Sequence, residues 1–186
     1  MRKIYFLLLL CLLSVTHSKA QSLQGEGTED SPYLINNADD LHDLRNYLGA
    51  AYLDQYFRLT TDIDLSQWIE NNKDEDIKTK GWQPIGGAYH DKVDSIFNGN
   101  FQGGGHVISG IWMNRNSRWR NLGLFANAGG KIDSLGVVVA KGKQIKYSGT
   151  GAHAVGGIVG AFYITPKYPN SGIYSCFFKG DVVNTS

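Results

Sequence analysis

Two aspartates in an alternating segment have the type and spacing that could do chemistry. Tyr56–Ser66 places apolar residues on one face and polar residues on the other, as in a half-buried strand. Asp62 and Asp64 therefore project from one face, about 7 Å apart. Two such carboxylates can hold Ca²⁺ as a cofactor or act as an acid and base pair. The alternative is solvated charge at a strand edge, with no metal and no cofactor.

A second feature is a repeated apolar pattern. Ile108–Met113 lines up with Ile132–Val137 and with Ile173–Phe178, at intervals of 24 and 41 residues. The first, fourth and sixth places are apolar each time, and the longer interval implies an insertion. Imperfect repetition on this scale predicts a solenoid, in which each unit buries its apolar face against its neighbours.

This register makes Trp112 the most informative aromatic residue. Stacked at about 4.8 Å per strand, Trp112, Gly136 and Phe177 would form one outward column of ring, gap and ring. Such a column suits a sugar ring, and Asn114 and Asn116 are placed to supply hydrogen bonds. The alternative is that a helix or loop covers Trp112, so that it belongs to the core.

The elements that would position these residues are short strands and one helix. Twenty-three glycines and four prolines, set between short apolar runs, favour strands and tight turns. Phe97–Met113 is predicted to be strand, sharp glycine reversal and strand. Asn37 can cap a helix whose apolar stripe is Leu41, Leu44 and Leu48, and this helix could cover the open first rung.

Three further segments carry expectations. Gln67–Lys80 is long and charged and is interpreted as a surface loop, and Lys141–Ala154 is interpreted as an exposed insertion. Ile173–Val183 is followed by no capping element. It is therefore expected to present an open strand edge, to allow edge-to-edge self-association, and to indicate a domain truncated at its C-terminus.

The start of the chain predicts export. Residues 1–20 have a basic beginning, an apolar stretch and a small-residue cleavage site, as in a secretory signal peptide. Residues 21–31 are interpreted as a flexible leader and residues 32–186 as the folded domain. The signal contains three basic residues, so the mature chain carries 15 basic against 17 acidic residues, about −2 overall. This charge suggests no nucleic-acid partner, and no later segment suits membrane insertion.

Several motifs together resemble GLUG-motif proteins of bacteria. Gly123–Ala126 and Gly157–Gly160 resemble the short glycine–apolar–apolar–glycine signature, although Ala126 stands where glycine is expected. The rest of the mature chain is similar to the accompanying segments of that family at Gly27–Ile35, Tyr56–Leu65, Trp82–Gly86 and Phe97–Gly110.

The resemblance implies a mainly β fold, a right-handed parallel β-solenoid that is β-helix-like, on a secreted or cell-surface protein. Such proteins are often adhesin-like, and similar segments occur as non-catalytic parts of IgA-specific metalloendopeptidases. The family supplies no catalytic residues. An adhesin-like binding module that presents a rigid β-solenoid to a glycan or a host protein, with carbohydrate binding through the aromatic column, is therefore the first hypothesis. A structural stalk or segment of a larger surface protein comes second, and a polysaccharide-active enzyme comes last.

Overall fold

The computed structural model describes residues 23–87, 96–116, 120–150, 154–164 and 171–185. The signal peptide predicted at residues 1–20 and the first two residues of the leader lie outside these ranges.

Short strands make up most of the described chain, and helices occur only in its first half. The N-terminal elements are β1 (Tyr33–Ile35), α1 (Ala38–Asp43), β2 (Tyr56–Leu59), β3 (Ile63–Asp64), α2 (Ser66–Glu70) and α3 (Glu75–Lys80). The central strands are β4 (Asn100–Gln102), β5 (Val107–Ile111), β6 (Met113–Arg115), β7 (Asn121–Leu122), β8 (Phe125–Ala128), β9 (Lys131–Asp133), β10 (Gly136–Val139) and β11 (Ile145–Tyr147). The last strands are β12 (Ala154–Val155), β13 (Val159–Phe162), β14 (Gly172–Tyr174), β15 (Phe177–Lys179) and β16 (Val182–Asn184).

The strands form parallel sheets that the chain visits in a repeating order. Sheet A has the order β1-β2-β4-β9-β14, sheet B the order β3-β5-β10-β15, and sheet C the order β6-β11-β16. Two small sheets pair β7 with β12 and β8 with β13. Three successive passes, β4-β5-β6, β9-β10-β11 and β14-β15-β16, therefore run through sheets A, B and C in turn. This parallel arrangement is compatible with a solenoid.

The register between passes differs from the one predicted from the repeat. Ile132 pairs with Ile173 as predicted, but its partner in the earlier pass is Phe101, not Ile108. The predicted alignment of the first repeat is wrong because it matches β5 of sheet B with β9 of sheet A, so that the observed interval, from Phe101 to Ile132, is 31 residues and not 24. Four residues separate β4 from β5, whereas two residues separate β9 from β10. This difference of two residues shortens the interval between partners from 31 in sheet A to 29 in sheet B, where Ile108 pairs with Val137.

The glycine segment after β4 is a corner and not the predicted sharp reversal. It carries the chain from sheet A to sheet B, so β4 and β5 do not pair with each other. The His106 amide donates to the Gly103 carbonyl at 3.0 Å. Gly104 and Gly105 have φ angles of 62° and 83°, a left-handed region that residues with a β-carbon rarely adopt. A glycine-rich sequence is therefore needed here for the change of sheet.

The alternation predicted for Tyr56–Ser66 is confirmed by burial. The inward residues Phe57, Leu59, Ile63 and Leu65 are buried, and the polar residues between them are exposed. The segment is two strands, β2 and β3, because the chain turns from sheet A to sheet B between them.

The predicted helix is shorter than its apolar stripe suggested. The Asn37 side chain accepts a hydrogen bond from the Asp40 amide at 2.9 Å, so the predicted cap is present. Leu41 and Leu44 are fully buried, but α1 ends at Asp43 and a 3-10 turn follows. After β2, the chain enters sheet B as β3, which is the first strand of that sheet. After β1, one pass earlier, the chain forms α1 instead of a strand. This placement is compatible with the expected cover over the first rung.

The loop predicted at Gln67–Lys80 is wrong, because the structure contains α2 and α3 there. Asp74 caps α3 by accepting from the Asp76 amide at 2.8 Å, and lysines occupy its last turn, where they favour the helix dipole. Each helix buries one isoleucine, Ile69 in α2 and Ile77 in α3. Two buried isoleucines in a charged segment are too few to reveal a periodic pattern.

The exposed insertion predicted at Lys141–Ala154 is also wrong in its middle. β11 occupies Ile145–Tyr147 and is the central strand of sheet C. Ile145 and Tyr147 point inward and are fully buried, while Lys146 between them is only half-buried. A strand of three residues between polar neighbours is too short for its alternation to stand out.

A buried arginine fastens α3 to sheet C. The Arg115 side chain is 1% exposed and donates to the carbonyls of Gly81 at 2.6 Å and Trp82 at 2.9 Å. It also donates to Asp76 Oδ2 at 2.6 Å, and Lys80 reaches the other oxygen of that carboxylate at 2.8 Å. Burial alone would raise the pKa of Asp76, but the hydrogen bonds from Arg115 and Lys80 hold it well below its usual range.

Beside this anchor, His42 lies on the tryptophans of the same region. Its ring is 5.1 Å from the Trp68 ring and 6.0 Å from the Trp82 ring. Burial lowers the pKa of His42 to about 4, and the nearby Arg45 adds to the effect. The histidine is therefore neutral at ordinary pH and acts as packing.

The last pass is the exposed end of the described sheets. β14, β15 and β16 are the terminal strands of sheets A, B and C. Large apolar side chains in this pass remain open to solvent, with Phe177 52% and Ile173 44% exposed. The open edge predicted at Ile173–Val183 is thus observed within the described ranges. Cys176 in this pass is half-buried and donates to the Tyr174 carbonyl at 3.0 Å.

Candidate ligand-binding groove

The outer face of sheet A carries two columns of polar and aromatic side chains. The first column contains Arg58, Gln102, Asp133 and Tyr174, which occupy equivalent positions on β2, β4, β9 and β14. The second column contains Tyr56, Asn100, Lys131 and Gly172 on the same strands. The inward position between them is apolar in every strand, so strand alternation alone directs these groups outward.

A groove of about 540 Å³ runs over these columns. It is lined by Glu29, Tyr56, Asn100, Phe101, Gln102, Lys131, Asp133, Tyr174 and Ser175. Tyr56 is on β2 and Tyr174 is on β14, three strands away, so the two aromatic residues are about 14 Å apart along the stack. The amide and charged side chains lie between them.

Two charged groups of the groove, Lys131 and Asp133, are paired with each other. Lys131 Nζ is 2.9 Å from Asp133 Oδ2 and 5.5 Å from the Tyr174 ring centre. The hydrogen bond from Lys131 lowers the pKa of Asp133, and the same bond raises the pKa of Lys131. Both groups are therefore charged at neutral pH, and they present fixed donors and acceptors at the groove floor.

The two tyrosines are held in different ways. The Tyr56 hydroxyl donates to Glu29 Oε2 at 3.5 Å, and its pKa is raised by burial and then by Glu29. The Tyr174 ring lies over Gly172, where a β-carbon would come within 2.9 Å of the ring. Glycine at this position lets the Tyr174 ring lean back over its own strand. The Tyr174 hydroxyl donates to the Ser171 carbonyl at 3.3 Å.

The two aspartates predicted as a metal pair have separate partners. Asp62 Oδ1 accepts from the Val107 amide at 2.9 Å and lies 3.1 Å from His106 Nδ1. Asp64 Oδ1 accepts from the Ser66 amide at 2.9 Å, at the start of α2. The pKa of each carboxyl is lowered by its backbone hydrogen bond. Within the described ranges, no three His, Cys, Asp or Glu side chains are grouped to hold a metal ion. The calcium site stays a prediction.

The residues predicted as a sugar platform are not brought together in one column. The partners of Gly136 are Val107 and Phe177, so Trp112 is not in the column that was predicted for it. Trp112 lies between β5 and β6, half-buried, with Lys143 Nζ 4.7 Å from its ring centre. Asn114 and Asn116 are exposed near Trp112, whereas Phe177 is on β15 of sheet B. Ligand binding at these residues stays a prediction.

Sequence reasoning missed the groove on sheet A. Its tyrosines occur in the segments YFRL and GIY, as the outward neighbours of predicted core residues. Outward aromatics next to inward apolar residues were the available signal, since a solvent-facing tyrosine on a strand has no role in the core. What the sequence did not reveal was that Tyr56 and Tyr174 share one face.

Comparisons with known proteins show similarity to parts of much larger chains. No family model matches this chain. A protein of Evansella cellulosilytica named "Putative Gly-rich membrane protein" is 34% identical over 130 residues, 67% of this chain and 13% of that protein. "Halomucin" of Haloquadratum walsbyi is 35% identical over 136 residues, 73% of this chain and 1% of that protein.

A solved structure shares the fold. It is a crystal structure described as a "putative immunoglobulin A1 protease" from Bacteroides ovatus, with 22% identity and a TM-score of 0.50. The similarity covers 83% of this chain and 49% of that one, and at this identity it concerns the fold alone. The present chain thus spans about half of the solved chain and a small part of the two relatives. Among the described residues, no helix is long and apolar enough to cross a membrane.

Proposed function

We propose that this chain is a non-catalytic binding segment of a secreted or cell-surface protein, and that its groove on sheet A holds a glycan. The observation that carries the proposal is the pair Tyr56 and Tyr174 at opposite ends of a row of amide and charged side chains. The names of the two relatives, a membrane protein and a halomucin, support a place at the cell surface.

The architecture we propose is a right-handed parallel β-solenoid. Its support is the repeated order of sheets A, B and C in three passes, with parallel register at each step. Parallel crossover connections are right-handed in nearly all proteins. In such a stack, neighbouring passes lie about 4.8 Å apart, so outward side chains form rigid columns on which a ligand can lie.

The groove has the chemistry that sugars require. Tyrosine rings offer flat apolar faces to the C–H face of a pyranose, while their hydroxyls can also bond. Asn100, Gln102 and the Lys131–Asp133 pair offer donors and acceptors for sugar hydroxyls. The separation of the two tyrosines favours an oligosaccharide over a single sugar. The volume of about 540 Å³ falls in the usual range for ligand sites.

The Lys131–Asp133 pair argues against Asp133 as an acid catalyst of hydrolysis in this groove. A glycosidase needs one carboxyl group with a raised pKa as the general acid. Asp133 has the opposite property, because the hydrogen bond from Lys131 lowers its pKa. The protease name of the solved structure does not extend to this chain, because that likeness concerns the fold alone. A host protein as the ligand, or a stalk that binds nothing, are the alternatives that the experiment must separate.

A glycan array with the chain lacking residues 1–20 tests the proposal, followed by calorimetry on the best oligosaccharide. Tyr174→Ala and Tyr56→Ala should each weaken binding roughly tenfold, as the loss of one aromatic anchor does. Tyr163→Ala is the matched control, because Tyr163 is an exposed tyrosine that does not line the groove. Circular dichroism establishes that each variant is folded.

The outcomes separate the alternatives. Loss of binding in the groove variants alone supports the glycan groove. Equal loss in Tyr163→Ala would place the ligand elsewhere. If the wild-type chain binds no glycan on the array, the glycan proposal is wrong, and a stalk or a protein-binding segment takes its place.

A further inference from the structure

A second surface, away from sheet A, is organised around Trp112. Two cavities of about 350 and 340 Å³ meet there, and both are lined by Trp112 and Lys143. The first is also lined by Ser66, Ile69, Glu70, Lys78, Gly110, Ala140 and Lys141. The second is also lined by Met113, Asn114, Gly142, Gln144 and Lys146. We call the two cavities together the Trp112 face.

The Trp112 face concentrates positive charge. Four lysines line it, Lys78 on α3, Lys141 and Lys143 on the turn after β10, and Lys146 on β11. Lys78 has Glu75 at 3.9 Å, but in the described part of the chain Lys141, Lys143 and Lys146 form no ion pair within 4.0 Å. Glu70 is the one acidic side chain in the lining. Like charges gathered in a concave surface attract anionic ligands.

The structure positions the central lysine. The turn is closed by a hydrogen bond from the Lys143 amide to the Ala140 carbonyl at 3.0 Å, and Gly142 supplies a φ of 72°. The Lys143 ammonium then lies 4.7 Å from the centre of the Trp112 ring, within the range of a cation–π contact. A charge that is already placed loses less conformational entropy when it binds an anion.

The surroundings of Trp112 favour a polysaccharide over a nucleic acid. Lys143 covers one part of the half-buried indole, and another part packs on Gly81, where a β-carbon would be 2.9 Å from Trp112 Cδ2. The ring is therefore not an open platform, whereas single-stranded nucleic acids depend on stacking against aromatic rings. Ser66, Asn114 and Gln144 provide neutral donors and acceptors that suit sugar hydroxyls.

We propose that the Trp112 face binds an acidic polysaccharide, whose carboxylates are held by Lys141, Lys143 and Lys146. Lys143 lies where the two cavities meet, with Lys141 in one and Lys146 in the other. A chain with an acidic group on each sugar can therefore place successive charges on both sides of Trp112. This site is separate from the groove on sheet A and does not depend on it.

Calorimetry with an oligogalacturonate tests the proposal, with the fully methyl-esterified oligosaccharide as the uncharged ligand. The acidic form should bind and the ester should not. Lys143→Gln should weaken binding roughly fivefold, the upper range for one exposed charge pair, while Lys143→Arg retains it. The triple variant Lys141→Gln, Lys143→Gln, Lys146→Gln should abolish binding. Raising the salt from about 0.1 M to about 1 M should weaken it strongly, because exposed charges are then screened.

Two variants of the other groove make the test specific. Lys131→Gln removes one positive charge from the groove on sheet A, and Tyr174→Ala removes an aromatic ring there. Both should bind the oligogalacturonate as the wild type does, even if the neutral-glycan proposal fails. The inference is overturned if either variant loses as much affinity as Lys143→Gln. It is equally overturned if the ester binds as well as the acid, if nothing binds, or if polyuridylate binds more tightly than the oligogalacturonate.

Discussion

The buried arginine gives the most demanding test of how the helical segment is held. Arg115→Met removes the guanidinium group but keeps most of the side chain's length. The substitution leaves the carbonyls of Gly81 and Trp82 without their donor, in a region where both residues are buried. Asp76 also loses its shortest contact, but it is partly exposed and keeps Lys80.

The cost follows from these contacts. Each buried carbonyl left unpaired costs about 1–3 kcal/mol, so the two in Arg115→Met should destabilise the chain by about 2–6 kcal/mol. Asp76→Asn should cost about 2–3 kcal/mol, less than a fully buried ion pair, because solvent reaches the carboxylate. The double variant should cost less than the sum, with a coupling of about 1–2 kcal/mol. A loss of 3 kcal/mol corresponds to a Tm lower by about 6–12 °C in a chain of this size.

Thermal and urea unfolding of the chain without residues 1–20 measures these values, with Lys80→Gln as the matched control. Lys80 contacts the same carboxylate at 2.8 Å, but its side chain is 44% exposed, so its loss should cost under about 1 kcal/mol. The pKa of Asp76 in the folded chain lies below its usual range. Its contribution to the free energy of unfolding is therefore complete at any pH above the usual pKa, and it is lost as pH falls through the folded-state pKa. If Lys80→Gln costs as much as Arg115→Met, burial does not decide the strength of this contact and the reasoning is wrong.

Three further predictions concern other parts of the chain. The pKa of His42 falls from 6.5 to about 4 on folding. The free energy of unfolding should therefore decrease as pH drops from the first value to the second, by about 2 kcal/mol after discounting for partial exposure. His42→Phe should flatten this pH dependence in urea titrations, and an unchanged slope would exclude His42 as its source. Calcium should not raise the Tm, because Asp62 and Asp64 already accept backbone hydrogen bonds. A rise that Asp64→Asn removes would establish the predicted calcium site. Sedimentation should show concentration-dependent association through the last pass, which Phe177→Ser weakens, and a wild type that stays monomeric contradicts this.

The sequence was most informative about features that depend on residues close together in the chain. The alternation at Phe57, Leu59, Ile63 and Leu65 sets which side chains are buried, and it needs no knowledge of the neighbouring strand. The cap of α1 by Asn37 is likewise a contact over three residues. The helices in Gln67–Lys80 were missed because tertiary packing stabilises them, with a side-chain cap on α3, and only one isoleucine in each is buried.

The candidate groove could not be predicted in the same way, because it depends on which strands become neighbours. Tyr56 and Tyr174 face outward in their own strands, but only the order of sheet A brings them to one groove. The order and the register depend on corner lengths, which carry little pattern of their own.

Gly136 shows how much the strand pairing decides. The repeat pattern predicted that the missing side chain of Gly136 leaves a gap beside Trp112. In the structure β10 pairs with β5, and Val107, 29 residues before Gly136, takes that place instead. A β-carbon at Gly136 would come within 2.5 Å of the Phe177 ring and 3.0 Å of the Val107 side chain, so the space is already filled. Glycine is needed there for packing between passes, and Trp112 is left to organise a different surface with Lys143.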